Sequence, residues 1–227
     1  MQEVRTDLDD AYNKQMAAQM GWSEPYSYHW DRGLYFHEVF PRLVCGTQPR
    51  NPDEVETLSR DYGVVTLVNL QQDQDMAHWG VDFGANKARA EALGVDVRRP
   101  SIIDFNADSL RAQLPRAVRE VADAMNRAEE GGGRVYVHCT AGLGRAPAVC
   151  IAYLYWFKGF NLDDAYAHVT GIRPCGPRRD AIRAATADLM KNGTDHKFEH
   201  RPDHAYAFLN DDDRRNVQER VWNAHGH

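Results

Sequence analysis

The stretch Val135-Tyr136-Val137-His138-Cys139-Thr140-Ala141-Gly142-Leu143-Gly144-Arg145-Ala146-Pro147 reads as strand, tight loop and helix. The loop residues Thr140, Ala141, Gly142, Leu143 and Gly144 are small or neutral, and Gly142 and Gly144 are free to take positive φ. Such a loop turns successive backbone N–H groups inward as an anion nest, at the positive end of the helix that follows. The same field favours a thiolate, so Cys139 is expected to ionise well below the ordinary thiol value of about 8.5. Arg145, six residues on, can return its planar fork to two phosphate oxygens, which a lysine could not do. Nucleophile, nest and clamp together point to phosphate chemistry at a cysteine. Packing is the ordinary fate of a buried cysteine and suits Cys150 and Cys175. It does not suit Cys139, whose loop has no bulky side chain to bury and places an arginine where a core would not want one.

Outward from this stretch, strands and helices alternate. Residues 7–21 read as a helix ended by Gly21, followed by an aromatic-rich segment from Tyr26 to Phe40. A short apolar run covers 42–46. A helix over 51–61 is capped by Asn51 with Pro52 at its first position. The β-branched run 64–70 is a buried strand and 95–99 a second short one. A long amphipathic helix over 108–130 has Leu110, Leu114, Val118, Val121 and Met125 at spacings of three and four, with Asp108 as its N-cap. Gly131-Gly132-Gly133 stops it, and 134–137 is a third strand. Helices follow over 144–158, 161–170, 178–191 and 212–223. The sum is an α/β fold: a central, mostly parallel sheet with helices on both sides and a C-terminal helical extension.

With 227 residues and 43% hydrophobic content, one core is affordable without disulfides or metal. A net charge of −6 argues against nucleic acid or an anionic membrane as the main partner, and no apolar run reaches bilayer-spanning length. Four cysteines with no CxxC pair suit a reducing compartment, and zinc-ligand spacing is absent, so no metal is expected. The start, 1–20, has no secretory or transit character.

The chain resembles the Cys-x5-Arg dual-specificity phosphatases. More narrowly it is similar to the plant and algal glucan (starch) phosphatases, the starch-excess and laforin-type group. That narrower likeness rests on 138–147 (HCTAGLGRAP), 69–75 (NLQQDQD), 98–105, 109–115 (SLRAQLP), 173–177 (RPCGP) and 217–221 (VQERV). It covers about 26–222, and is nearest the Like Starch Excess Four Two type, which carries no carbohydrate-binding module. The implied organisation is an N-terminal helical segment 1–25, a catalytic domain 26–192 and a C-terminal motif 193–227 packed back on it.

The resemblance implies a phosphocysteine mechanism with Cys139 as nucleophile, Arg145 as clamp and Thr140 to Gly144 as the phosphate loop. The proton donor it implies is Asp104, 35 residues before the nucleophile. A sugar alkoxide leaves poorly near neutral pH and needs such a donor. Asp108 competes on sequence, but reads as a cap. Ala146 stands where most protein-directed relatives carry Ser or Thr, as it does throughout the glucan group. No cofactor is implied.

The loop carries no lysine, which suits one phosphate on an otherwise uncharged molecule such as starch or amylopectin. Sugar C–H faces lie well on aromatic planes. Tyr26, Tyr28, Trp79 and Phe105 match the residues lining the family's glucan groove, with His78 standing where the family has a tyrosine. Core packing is the competing account of Trp79. Glucose carbon 3 is favoured over carbon 6, the expected state is a monomer, and the location is the chloroplast or, alternatively, the cytoplasm. The rival functions are a protein phosphatase acting on phospho-Ser/Thr/Tyr and a non-catalytic glucan-binding scaffold.

Overall fold

A computed structural model describes residues 2–191 and 205–224, with side chains from Thr6 onward. The strands are β1 (Phe36–Phe40), β2 (Leu43–Gly46), β3 (Val64–Asn69), β4 (Asp96–Arg98) and β5 (Arg134–His138). They form one sheet in the order β1-β2-β5-β3-β4, parallel throughout except for β1, which pairs antiparallel with β2. The last strand in the chain is therefore central. Its residue Val137 lies opposite Cys45 on one side and Val68 on the other, so Cys139 emerges at the carboxyl edge between the ends of β2 and β3. In a parallel sheet that edge is where ligands bind.

Alternation along β5 builds two cores. Val135 and Val137 pack toward one face, where α5 (Ala107–Gly131), α6 (Arg145–Phe157), α7 (Leu162–Ile172) and α8 (Arg179–Lys191) supply the larger core. Tyr136 points the other way, into a smaller cluster with Val55 and Leu58 of α2 (Pro52–Arg60) and Ala90 of α4 (Phe83–Ala92). It is satisfied there by donating its hydroxyl to the Thr47 carbonyl at 2.8 Å. No helix among the described residues is long and apolar enough to cross a membrane.

Asn51 caps α2 as expected, its side chain accepting from the Glu54 amide at 3.0 Å. The cap of α5 is Asn106, which accepts from the Ser109 amide at 2.8 Å; Asp108 lies exposed in the first turn, and that expectation is corrected. Both side chains can cap, and the cap simply falls two residues sooner. Four elements had not been expected: a short 3-10 helix (Trp30–Arg32), β1, α3 (Asp73–Trp79) and α4.

The first helix, α1 (Gln2–Met20), begins ahead of the expected Asp7 and buries Tyr12 and Met16. It is fastened to the segment after it. Asp9 accepts the Trp30 amide at 3.0 Å, and Asn13 exchanges two 2.8 Å bonds with the Tyr28 backbone. The last helix, α9 (Asp211–Trp222), buries Val217 and Val221 and donates from Gln218 to the Trp156 carbonyl at 2.8 Å. The rest of the expected motif 193–227, at 193–204 and 225–227, lies outside the described residues.

Candidate active site

The loop from Cys139 to Gly144 is held by its carbonyls. The Thr140 carbonyl accepts the Gln48 amide at 3.0 Å and that of Leu143 the Gly176 amide at 3.1 Å. Arg173, fully buried, donates Nε to the Gly142 carbonyl at 2.7 Å and Nη2 to the Ala141 carbonyl at 3.1 Å. With four successive carbonyls drawn outward, the loop presents its amides to the inner side, the arrangement an anion nest requires. Gly142 has φ +65, and a Cβ there would run into the Gly46 carbonyl, so only glycine fits. Gly144, also expected to use that freedom, has φ −118 and serves as the residue before α6; the glycine that makes room for the Trp22 ring is Gly176, where a Cβ would meet it at 2.5 Å.

Cys139 sits at the base of a hollow of about 500 Å³ shared with Arg145, Asp104, Phe105, Tyr12 and Trp22. Arg145, at the first position of α6, is 4% exposed in its side chain. Nη1 donates to Asp75 Oδ2 at 2.6 Å and to the Ile102 carbonyl at 3.0 Å. Nη2 meets Asp104 Oδ2 at 2.7 Å and Thr140 Oγ at 3.3 Å. Nε is buried with no acceptor. A buried guanidinium N–H without a partner is costly and marks a place for a ligand oxygen.

Asp75 had not been singled out, although it lies in the quoted motif 69–75. It belongs to the first turn of α3, where it also accepts the Gln72 amide at 3.0 Å. Gln71 and Gln48 form a buried amide network behind Thr140. Gln71 Nε2 donates to Gln48 Oε1 at 2.8 Å and to Thr140 Oγ at 3.1 Å, and Gln48 Nε2 donates to the Tyr28 hydroxyl at 3.1 Å.

The electrostatics differ from the expectation at the sulfur. Burial pushes the Cys139 thiol up from its ordinary value; Arg145 pulls it back, and Asp104 opposes that pull. Burial is the largest cause, and Asp104, ion-paired with Arg145, offsets part of that cation's pull on the sulfur. The Ala146 amide bonds the sulfur and favours its ionised form. Thus the backbone N–H of residue 146 supplies a donor where a hydroxyl side chain is missing. For Arg145, burial disfavours the cation, but Asp104, Cys139 and Asp75 more than offset it, so the guanidinium stays charged. Burial drives the neighbouring His138 down to about 4, leaving it neutral at pH 7.

The expected aromatic residues separate into two groups. Tyr28 and Trp79 are buried, at 4% and 1% exposure. Trp30 stacks on Trp79 with ring centroids 5.8 Å apart, and Tyr12 meets both Tyr28 and Trp79 edge-on. Tyr26 and Phe105 are half-buried, and Tyr26 lies beside Trp22 with ring centroids 6.1 Å apart. The chain turns at 24–25 and bends at 26, so the segment through Tyr26 is not extended. Phe105 has φ +54, a left-handed conformation uncommon for a bulky residue and frequent at functional sites. A second hollow of about 680 Å³ adjoins the first, lined by His78, Trp79, Asp75 and Gln74; Tyr12, Asp104 and Phe105 form walls of both.

The chain belongs to the dual specificity phosphatase catalytic-domain family, whose family model matches residues 52–184. Among curated proteins it is similar to the phosphoglucan phosphatase DSP4, amyloplastic, of Castanea sativa: 37% identical over 188 residues, covering 82% of this chain and 48% of the relative. It is likewise similar to the phosphoglucan phosphatase LSF1, chloroplastic, of Arabidopsis thaliana, 30% identical over 199 residues, covering 88% of this chain and 31% of that one. The chain therefore spans less than half the length of these two relatives. Among solved structures, Tk-PTP in the active form aligns with a TM-score of 0.54 at 26% identity, over 69% of this chain and 96% of that one.

Proposed function

We propose that the chain is a glucan phosphatase, removing phosphate from monoesters on starch-type polyglucan, with glucose carbon 3 favoured over carbon 6. In this reading a phosphate dianion enters the hollow over Cys139, and its equatorial oxygens take the loop amides and the Nε and Nη2 of Arg145. Asp104 is released from Nη2 as the phosphate arrives. The Cys139 sulfur, as thiolate, attacks phosphorus in line while Asp104 gives its proton to the departing glucose oxygen. A water then attacks the phosphocysteine, losing its proton to Asp104, and the sulfur leaves as thiolate toward the Ala146 amide. Preorganised donors aimed at the transferring group are the main source of rate in such a step.

The observation that carries the phosphatase reading is the unpartnered Arg145 Nε, buried beside a loop whose carbonyls all turn away. What supports glucan as substrate is the likeness to two phosphoglucan phosphatases over more than four-fifths of the chain, with aromatic walls at Phe105, Trp22 and Tyr12. The same relatives support a plastid location. The proposed arrangement has 26–192 as the catalytic unit, with 1–25 and 193–227 packed on it.

The test is phosphate release from solubilised amylopectin against a panel of phosphopeptides, with label resolved between carbon 3 and carbon 6. The expected outcome is strong release from amylopectin, mainly at carbon 3, lost in Cys139→Ser while glucan binding survives. Peptide turnover with none on amylopectin would replace the glucan reading with a protein phosphatase. Unchanged turnover in Cys139→Ser would remove Cys139 from the chemistry.

A further inference from the structure

The hydroxyl of Tyr12 donates to Asp104 Oδ2 at 2.9 Å, across 92 residues of chain. Tyr12 comes from α1, outside the segment 52–184 that matches the family model. Its ring is locked on three sides, edge-on to Tyr28 and Trp79 and tilted over Phe105 at 5.4 Å between centroids. The helix that carries it is fastened at Asp9 and Asn13, on either side of Tyr12, to the backbone of Trp30 and Tyr28. A hydroxyl held this way has little freedom to leave its acceptor.

The rest of the Asp104 environment shows why that matters. Oδ1 accepts the amide of its own neighbour Phe105 at 3.1 Å, and Oδ2 is shared between Tyr12 and Arg145 Nη2. A bound phosphate needs Nη2, so the carboxyl must give up the arginine when substrate arrives. Tyr12 is then the side chain left to hold Oδ2.

We propose that Tyr12 is a positioning residue for the proton donor, its hydroxyl fixing the Asp104 carboxyl toward the leaving oxygen once phosphate has displaced it from Arg145. The inference rests on the phosphatase reading and on Asp104 as donor within it. Burial, and next the Asp104 charge, push the Tyr12 hydroxyl well above its ordinary value, so it keeps its proton and acts as a donor. A near-attack geometry is sensitive to such anchoring: a hydrogen bond to the protonated, neutral carboxyl corresponds to about two- to tenfold in rate.

The test compares two small substrates that need no glucan groove. Phenyl phosphate has a poor leaving group that requires a proton in the transition state; 2,4-dinitrophenyl phosphate has a good one that does not. Tyr12→Phe keeps the ring and its packing and deletes only the hydroxyl. The expected result is a fall of about tenfold in the ratio of kcat on phenyl phosphate to kcat on dinitrophenyl phosphate, with an unchanged melting temperature. Asp104→Asn is measured in parallel and is expected to lower the same ratio further. An equal loss on both substrates in Tyr12→Phe would make Tyr12 merely structural, and no change on either would make it a packing residue; each overturns the proposal. If Asp104→Asn lowers the ratio and Tyr12→Phe does not, the Tyr12 inference falls and the donor assignment stands. If Asp104→Asn leaves the ratio unmoved, the donor assignment itself falls, and the Tyr12 inference with it.

Discussion

Arg173 reaches Gly142 across 31 residues and holds its carbonyl at 2.7 Å, with the next guanidinium nitrogen on the Ala141 carbonyl at 3.1 Å. The remaining nitrogen donates to the Tyr35 carbonyl at 3.2 Å, so one buried side chain ties the phosphate loop to the segment leading into β1. The fork geometry is essential, because a lysine offers a point charge that cannot serve three diverging acceptors. Arg173→Lys is expected to lower kcat on any phosphate ester by about a hundredfold and to destabilise the fold by about 2 to 3 kcal/mol, since buried carbonyls lose charge-assisted partners. Urea denaturation and steady-state kinetics would check both, and activity within twofold of the parent would refute the buttress.

The acidity of Cys139 provides a second prediction. Asp104 raises the thiol's pKa and Arg145 lowers it. Asp104→Asn removes the opposing charge, so the thiol should become more acidic. The rate of iodoacetamide alkylation at Cys139, followed by mass spectrometry across pH, should show its inflection at lower pH than in the parent. An inflection that stays put or rises would mean the Asp104 carboxylate does not hold the thiol up.

Acid stability gives a third. His138 is buried with a pKa near 4, against an ordinary value near 6.5. Between those values the unfolded chain holds a proton that the folded chain lacks, so stability is full above about 6.5 and falls as pH drops toward 4. The loss across that window is about 3 kcal/mol. In His138→Asn this part of the acid sensitivity should vanish. Unfolding free energies at pH 7 and pH 4.5 would show it as a smaller difference in the variant than in the parent; an equal difference would count against it.

Trp79 and Phe105 should part company. Trp79 is 1% exposed beneath Trp30 and Tyr12, whereas Phe105 is half-buried on the wall of both hollows. Trp79→Ala is expected to cost about 3 to 5 kcal/mol of stability, as large-to-small changes in a core do. Phe105→Ala should cost less stability and weaken glucan binding several-fold. Calorimetric unfolding together with sedimentation on amylopectin separates the two. A Trp79 variant of parental stability with impaired glucan binding would reverse the assignment.

Much of this was legible in the sequence because local rules suffice there. The strand, loop and helix around Cys139 carry their own signals in β-branched residues, small loop residues and an apolar helix. The period of α5 is equally plain, with Leu110, Leu114, Val118, Val121 and Met125 all buried. The helices α3 and α4 were hidden because they are short, with two buried residues each and no sustained apolar period. The anchoring roles of Arg173 and Asp75 depend on partners 31 and 70 residues away, which spacing along the chain does not reveal. Tyr12 was missed for the same reason. It sits in a helix of otherwise weak amphipathic character, and its value comes from what folds over it.

The outward grip on the loop's carbonyls has a consequence for how such a pocket can arise and be adjusted. Its donors come from residues 48, 173 and 176, on either side of the loop in sequence. The anion receptor is consequently not encoded by the thirteen residues that look like it. A synthetic peptide of that sequence would lack its shape, and a newly made chain acquires the receptor only after residue 176 has been laid in place.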